Sequence, residues 1–159
     1  MEASEFARAA EENMQSLYRL SVSILHTSYD AQDAVQQGLL RAWERLDTAR
    51  PEQFRAWLTR IVINECHNIQ RRRMRVVPVE QMPEGVAPDD LTAAENELRG
   101  AIENLPEKLR VPLLLRYMEG YSEKEIAQTL GVPVTTVKNR LFRARRAVRA
   151  KIDGEVTFA

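Results

Sequence analysis

Residues 122–149 read SEKEIAQTLGVPVTTVKNRLFRARRAVR, and their order decides the fold. Ser122 and Glu125 stand three apart, the spacing at which a serine oxygen and a glutamate carboxylate reciprocally cap backbone N–H groups at a helix start. Ile126, Ala127 and Leu130 give that helix a buried face, and the small Ala127 lets a second helix cross close by. Gly131 accepts a left-handed turn at no steric cost. Pro133 suits the opening of the next helix, whose apolar stripe is Val137, Leu141, Ala144, Val148 and Ile152. A capped helix, a glycine turn and a second helix make a helix-turn-helix.

The second of these helices carries the chemistry. Away from its stripe lie Thr135, Thr136, Lys138, Asn139, Arg140, Phe142, Arg143, Arg145 and Arg146. Lysine and arginine reach guanine edges or phosphates, asparagine pairs with adenine, and an aromatic ring contacts a thymine methyl. A purely structural hairpin would carry mixed-sign pairs on that face. DNA is therefore the expected ligand, with non-specific phosphate binding or an acidic protein surface as the alternatives.

Moving outward, charge is sorted along the chain although its sum is zero. Residues 1–53 hold nine acids and five bases, whereas residues 54–75 hold six bases against the single Glu65. Residues 76–125 return to eleven acids and five bases, and residues 126–152 hold seven bases and no acid. Association with a polyanion follows the local field, so the neutral total excludes nothing. Other classes are excluded. One cysteine cannot form an internal disulfide, which suits a reducing compartment. No apolar run approaches the ~18 residues of a membrane span. The start, MEASEFARAAEEN, is acidic rather than signal-like. A soluble, cytoplasmic protein is expected.

Upstream of the motif, helical periodicity dominates. Leu17, Leu20, Ile24 and Leu25 mark one stripe, and Ala31, Val35, Leu39, Ala42, Trp43 and Leu46 a second. Asp30 and Asp33 suit the start of that second helix. Pro51 sits where a third begins, with Phe54, Trp57, Leu58, Ile61, Val62 and Ile69 following. From Met74 to Asp90 the pattern stops: Pro78, Pro83 and Pro88 alternate with Gly85 and the acids Glu80, Glu84, Asp89 and Asp90, an extended tether. Helices resume with Leu91, Leu98, Ile102 and Leu105, then Leu109, Leu113, Leu114, Tyr117 and Met118. The expected fold class is all-α: a helical domain over 1–73, a proline-rich linker over 74–90, and a helix-turn-helix domain over 91–159.

In the first domain, Asp33, Gln36, Gln37, Leu40, Arg41 and Glu44 lie away from the core stripe. An exposed leucine among fixed hydrogen-bonding groups suggests a partner surface, although one alone needs no explanation. Phe54, Trp57 and the run Arg71-Arg72-Arg73 read either as a holder of unstacked bases or as core aromatics beside solvated arginines.

The order D-x-x-D-A-x-Q-x-x-L-L-R-A-W, F-x-A-W-L-x-R-I-x-x-N, R-R-R, tether, L-P-E-K-L-R-x-P-L-L-L-R-Y and G-Y-S-E-K-E-I-A-x-x-L-G-V-P-x-x-T-V-K-N-R-L-F-R-A-R resembles a bacterial RNA polymerase sigma factor of the extracytoplasmic-function group. The similarity runs from about Leu17 to Ile152. It implies promoter recognition and transcription initiation, with core RNA polymerase, promoter DNA and an anti-sigma factor as partners. By that resemblance Asp33, Gln36, Gln37, Leu40 and Arg41 face the polymerase clamp. Asn64, His67, Asn68, Arg71 and Arg72 are placed at the −10 element, after the loop Glu44–Gln53. At the −35 element, Lys138, Asn139, Phe142 and Arg143 face bases and Thr135, Arg140 and Arg146 face phosphates. The tether is expected to thread through polymerase, its acids mimicking nucleic acid. Two departures stand out: Gln37 replaces a frequent acid, and Gly38 either weakens the helix or permits a close approach.

No enzyme is expected. Cys66-His67 and the distant His26 lack metal-ligand spacing, so no metal, cofactor or small-molecule substrate is called for. The rival readings are a dimeric helix-turn-helix regulator that binds two-fold half-sites without polymerase, and a helical adaptor with no DNA footprint.

Overall fold

The computed structural model describes residues 1–75 and 92–154, which form two compact units. The expected linker acids Glu80, Glu84, Asp89 and Asp90 lie outside the described residues, as do residues 155–159. Every regular element among the described residues is helical.

In the first unit, α1 (Ala3–Leu25) and α2 (Ser28–Glu44) are joined by a tight corner. His26 ends α1 in the left-handed conformation, φ 65°, and its N–H donates to the Val22 carbonyl at 2.7 Å. Thr27 then caps α2, its Oγ1 accepting from the Asp30 N–H at 3.3 Å. The cap is thus Thr27 rather than Asp30, which lies within the first turn of α2 and pairs instead with Arg73. Two single 3₁₀ turns, Leu46–Thr48 and Pro51–Gln53, lead into α3 (Phe54–Arg75). Pro51 therefore opens a 3₁₀ turn and not the helix itself, while α3 continues through Met74 and Arg75.

Small side chains set the packing of α2. Ala31, Ala34, Gly38 and Ala42 are buried, whereas Leu39 and Leu46 are only half-buried. Trp43, expected in the core, is 49% exposed and rests one edge on Phe6, ring centroids 5.4 Å apart. The inward stripe is narrow because the neighbouring backbone comes close: a Cβ on Gly38 would lie 2.6 Å from Val62 Cγ2 and 3.2 Å from Val62 Cα. Gly38 is thus the close-approach glycine, and its helix-propensity cost of ~1 kcal/mol is accepted for packing. Gly38→Ala should destabilise this unit by about 1–2 kcal/mol, overpacking outweighing the propensity gained. Urea denaturation checks this, and a gain in stability would show that Val62 yields freely. Beneath this crossing lie Leu17, Leu20 and Ile24 of α1 and Leu58, Val62 and Ile69 of α3. Phe54 joins them, packed edge-on against Phe6 at 5.9 Å, so it is core; its neighbour Trp57 is half-buried.

Arg73 pins the corner. Its guanidinium pairs with Asp30 at the start of α2 and donates to the Leu25 carbonyl at the end of α1, at 3.0 Å. Gln70 Nε2 reaches the Ile24 carbonyl at 3.4 Å. Two carbonyls that α1 leaves unpaired at its C-terminus are thereby served from α3.

The second unit comprises α4 (Ala93–Glu103), α5 (Glu107–Tyr117), α6 (Glu123–Leu130) and α7 (Val134–Ile152). Its core draws on Ala101, Leu105, Val111, Leu113, Leu115, Ile126, Val137 and Leu141, together with Tyr121. Leu98, Tyr117, Met118 and Ile152, expected as stripe members, are exposed: Tyr117, Met118 and Ile152 lie at the ends of α5 and α7, past the edge of this small core, and Leu98 lies on the outer side of α4, whose buried residue is Ala101. Buried Arg110 donates to the Leu105 carbonyl at 2.6 Å, and burial lowers its pKa from the ordinary arginine value.

The capping box is formed in full. Glu125 N–H donates to Ser122 Oγ at 3.0 Å and Ser122 N–H to Glu125 Oε1 at 3.2 Å. Gly131 sits at φ 67°, its N–H and that of Val132 both reaching the Ala127 carbonyl. Pro133 precedes α7 as its N-cap.

Candidate nucleic-acid and protein interfaces

Because Val137, Leu141, Ala144 and Val148 are turned inward, the intervening residues of α7 must face out. Thr135, Lys138, Asn139, Phe142, Arg143 and Arg146 are all exposed, and Arg140 is half-buried at the margin. Phe142 is the telling member: a ring 58% exposed beside four basic groups, at a position where solvation alone would favour a polar residue. Arg145 differs from its neighbours, for its Nη1 donates to Tyr117 Oη at 2.9 Å and ties α7 to the end of α5. All seven residues expected at a −35 element thus lie on one helix and its margin, with no acid between 126 and 152 to oppose them.

In the first unit the predicted residues sort differently from the sequence reading. Asp33, Gln37 and Arg41 of α2 line a polar cleft of about 390 Å³ together with Asn68, Arg71 and Arg72 of α3. The sequence resemblance assigns these two groups to separate surfaces, one for polymerase and one for DNA. Gln36 and Leu40 lie outside the cleft on the outward side of α2, and Leu40 is 57% exposed. Asn64 and His67 also lie outside it, on α3.

Two further residues line the cleft: Glu65 and Arg75. Glu65 is the only buried carboxylate among the described residues. Its Oε1 pairs with Arg41 Nε and also accepts from Asn68 Nδ2 at 3.4 Å. Asn68 Oδ1 accepts in turn from Arg71 Nη2. Across the cleft, Arg72 Nη2 lies 3.7 Å from Asp33 Oδ2. The sequence held one signal for Glu65, a solitary acid in a block of six bases. Nothing in its spacing told that it was buried.

These features meet known proteins at both units. Residues 9–76 match the family model for sigma-70 region 2, and residues 95–148 that for sigma-70, region 4. The chain is 35% identical over 158 residues to the ECF RNA polymerase sigma-E factor of Escherichia coli, covering 86% of this chain and 83% of that one. Among solved structures, it resembles the sigma factor RpoE of Bartonella quintana, determined in complex with the anti-sigma factor NepR. That match has 23% identity and a TM-score of 0.79 over 97% of this chain and 100% of that one. It also resembles CnrH, determined in complex with the cytosolic domain of CnrY, with 27% identity and a TM-score of 0.71 over 98% and 92% of the two chains.

The fold and both family models define a sigma-70-type transcription initiation factor. Within that class, the chain belongs to the ECF RNA polymerase sigma factors, which direct core polymerase to promoters. The all-helical, helix-turn-helix reading is borne out. No helix among the described residues is long and apolar enough to cross a membrane.

Proposed function

We propose that this sigma factor divides its work between the two units as their surfaces suggest. The outward face of α7 reads the −35 element: Lys138, Asn139, Phe142 and Arg143 touch bases, and Thr135, Arg140 and Arg146 hold phosphates. The outward side of α2, with Gln36 and Leu40, docks on core polymerase together with Asp33, Gln37 and Arg41. On α3, Asn64, His67, Asn68, Arg71 and Arg72 meet the −10 element as the duplex opens. Residues 76–90 serve as the linker, since Met74 and Arg75 belong to α3. Supplying recognition and strand separation, the chain leaves phosphodiester chemistry to polymerase and is no enzyme itself. It acts in the cytoplasm, under an anti-sigma partner as in the RpoE–NepR pair.

The observation that carries the reading is the exposed Phe142 within an acid-free basic face. For the polymerase face, Leu40→Asp provides the test. Leu40 contributes little to the core, so thermal stability should stay within about 0.5 kcal/mol. Affinity for core polymerase, measured with the labelled full chain, should fall roughly tenfold or more, as for an apolar anchor replaced by a charge. Unchanged affinity would remove Leu40 and its face from the interface.

A further inference from the structure

Glu65 sits where the two proposed contact surfaces of the first unit meet. Its side chain is 6% exposed, while that of its partner Arg41 is 48% exposed. A buried carboxylate so paired holds the guanidinium by Nε and leaves the outer Nη groups to solvent or a partner. On its other side the same oxygen accepts from Asn68 Nδ2, and Asn68 Oδ1 receives Arg71. With a carboxylate against one end of the amide and a guanidinium against the other, Asn68 has one electrostatically allowed orientation. Turning it over would set Oδ1 against the carboxylate and Nδ2 against the arginine. A continuous chain therefore runs Arg41–Glu65–Asn68–Arg71, from α2 to the C-terminal half of α3.

We infer that Glu65 is a positioning residue that fixes Arg41 for polymerase and Asn68 for DNA, so that both contacts depend on one buried carboxylate. The inference rests on the assignment of Arg41 to polymerase and of Asn68 and Arg71 to the −10 element made above. A carboxylate retained only for stability would act otherwise. Removing one partner of a buried ion pair is costly when the other charge stays buried, but the Arg41 side chain is 48% exposed and water can serve it once Glu65 is gone. Glu65→Met separates the two roles, because methionine fills the space but cannot hold Arg41 or orient Asn68.

The test uses the full chain with core polymerase, on a promoter fragment taken from start sites that the wild-type chain selects. Glu65→Met should stay folded and melt within a few degrees of wild type, because the exposed Arg41 is hydrated in its place, yet lose roughly tenfold in core affinity and in open-complex yield. In an Arg41→Ala background it should cause no further loss of core affinity, and in an Asn68→Ala background no further loss of open complex. Glu65→Leu, likewise apolar and without an acceptor oxygen, carries the same test should methionine pack poorly. Wild-type affinity and open-complex yield in a folded Glu65 variant would overturn the inference, as would losses that add to those of Arg41→Ala. If Arg41→Ala itself left core affinity intact, the assignment of Arg41 would fail and the inference with it. A wild-type chain that never bound core polymerase would instead refute the functional reading.

Discussion

Arg143→Ala should weaken binding of the polymerase holoenzyme to its own promoter by roughly 10- to 100-fold while leaving its weak binding to scrambled duplex nearly unchanged. A bidentate contact from arginine to a base edge is worth about 1–3 kcal/mol of discrimination, and each 1.4 kcal/mol is about a factor of ten. Arg143 is exposed and has no partner among the described residues, so its removal costs the fold little. Arg146, one turn further along α7, is equally exposed but assigned to phosphate. Arg146→Ala should therefore weaken promoter and scrambled DNA by a similar factor and lower the slope of affinity against salt by roughly one unit. Competition binding at several salt concentrations separates the two. Equal losses on both DNAs for Arg143→Ala would move that residue to the backbone.

The second large effect concerns the corner between α1 and α2. Arg73→Ala removes the pair with Asp30 and the donor to the Leu25 carbonyl together. Hydrogen bonds to charged groups contribute about 1.5–3 kcal/mol each, discounted here because the Arg73 and Asp30 side chains are partly exposed. A loss of about 2–3 kcal/mol is expected, lowering the melting temperature of the first unit by roughly 10 °C or more. Lysine cannot serve the carbonyl and the carboxylate with one planar fork, so Arg73→Lys should recover only part of the loss. Calorimetry on the full chain reads this directly, and a wild-type melting temperature would show the corner to be held by packing alone. The neighbouring Arg71 and Arg72 make no such clasp. The run Arg71-Arg72-Arg73 thus splits into two cleft residues and one structural residue, a division no count of basic residues reveals.

Local signals with a short reach were legible in the chain. The capping box, the left-handed Gly131 and the inward positions of α7 depend on residues within a few positions of one another, and they took the expected form except at Ile152, the last residue of α7, which is exposed. Signals that depend on a neighbouring helix were not. Trp43 fits the apolar stripe of α2 by spacing, but Gly38 brings Val62 close, and the buried positions of α2 hold nothing larger than Val35. Asp30 proved to lie inside the first turn of α2, behind the Thr27 cap, with its carboxylate paired to Arg73, 43 positions away. The burial of Glu65 is illegible for the same reason. An acid in a basic block reads as a solvated charge until the helix crossing buries it against Arg41. The family resemblance sorted residues by partner, whereas tertiary packing drew six of them into one cleft.

Both units are small, and the proposed function gives each only part of the promoter to read. The central claim is that they act together when core polymerase holds them. Transcription by purified core polymerase on fragmented genomic DNA, with and without the purified chain, tests it most directly when the 5′ ends of the transcripts are sequenced. New start sites should appear only with the chain present, preceded by two shared sequence blocks at constant spacing. No new start sites, or tight binding of the chain alone to a palindromic site, would contradict the account.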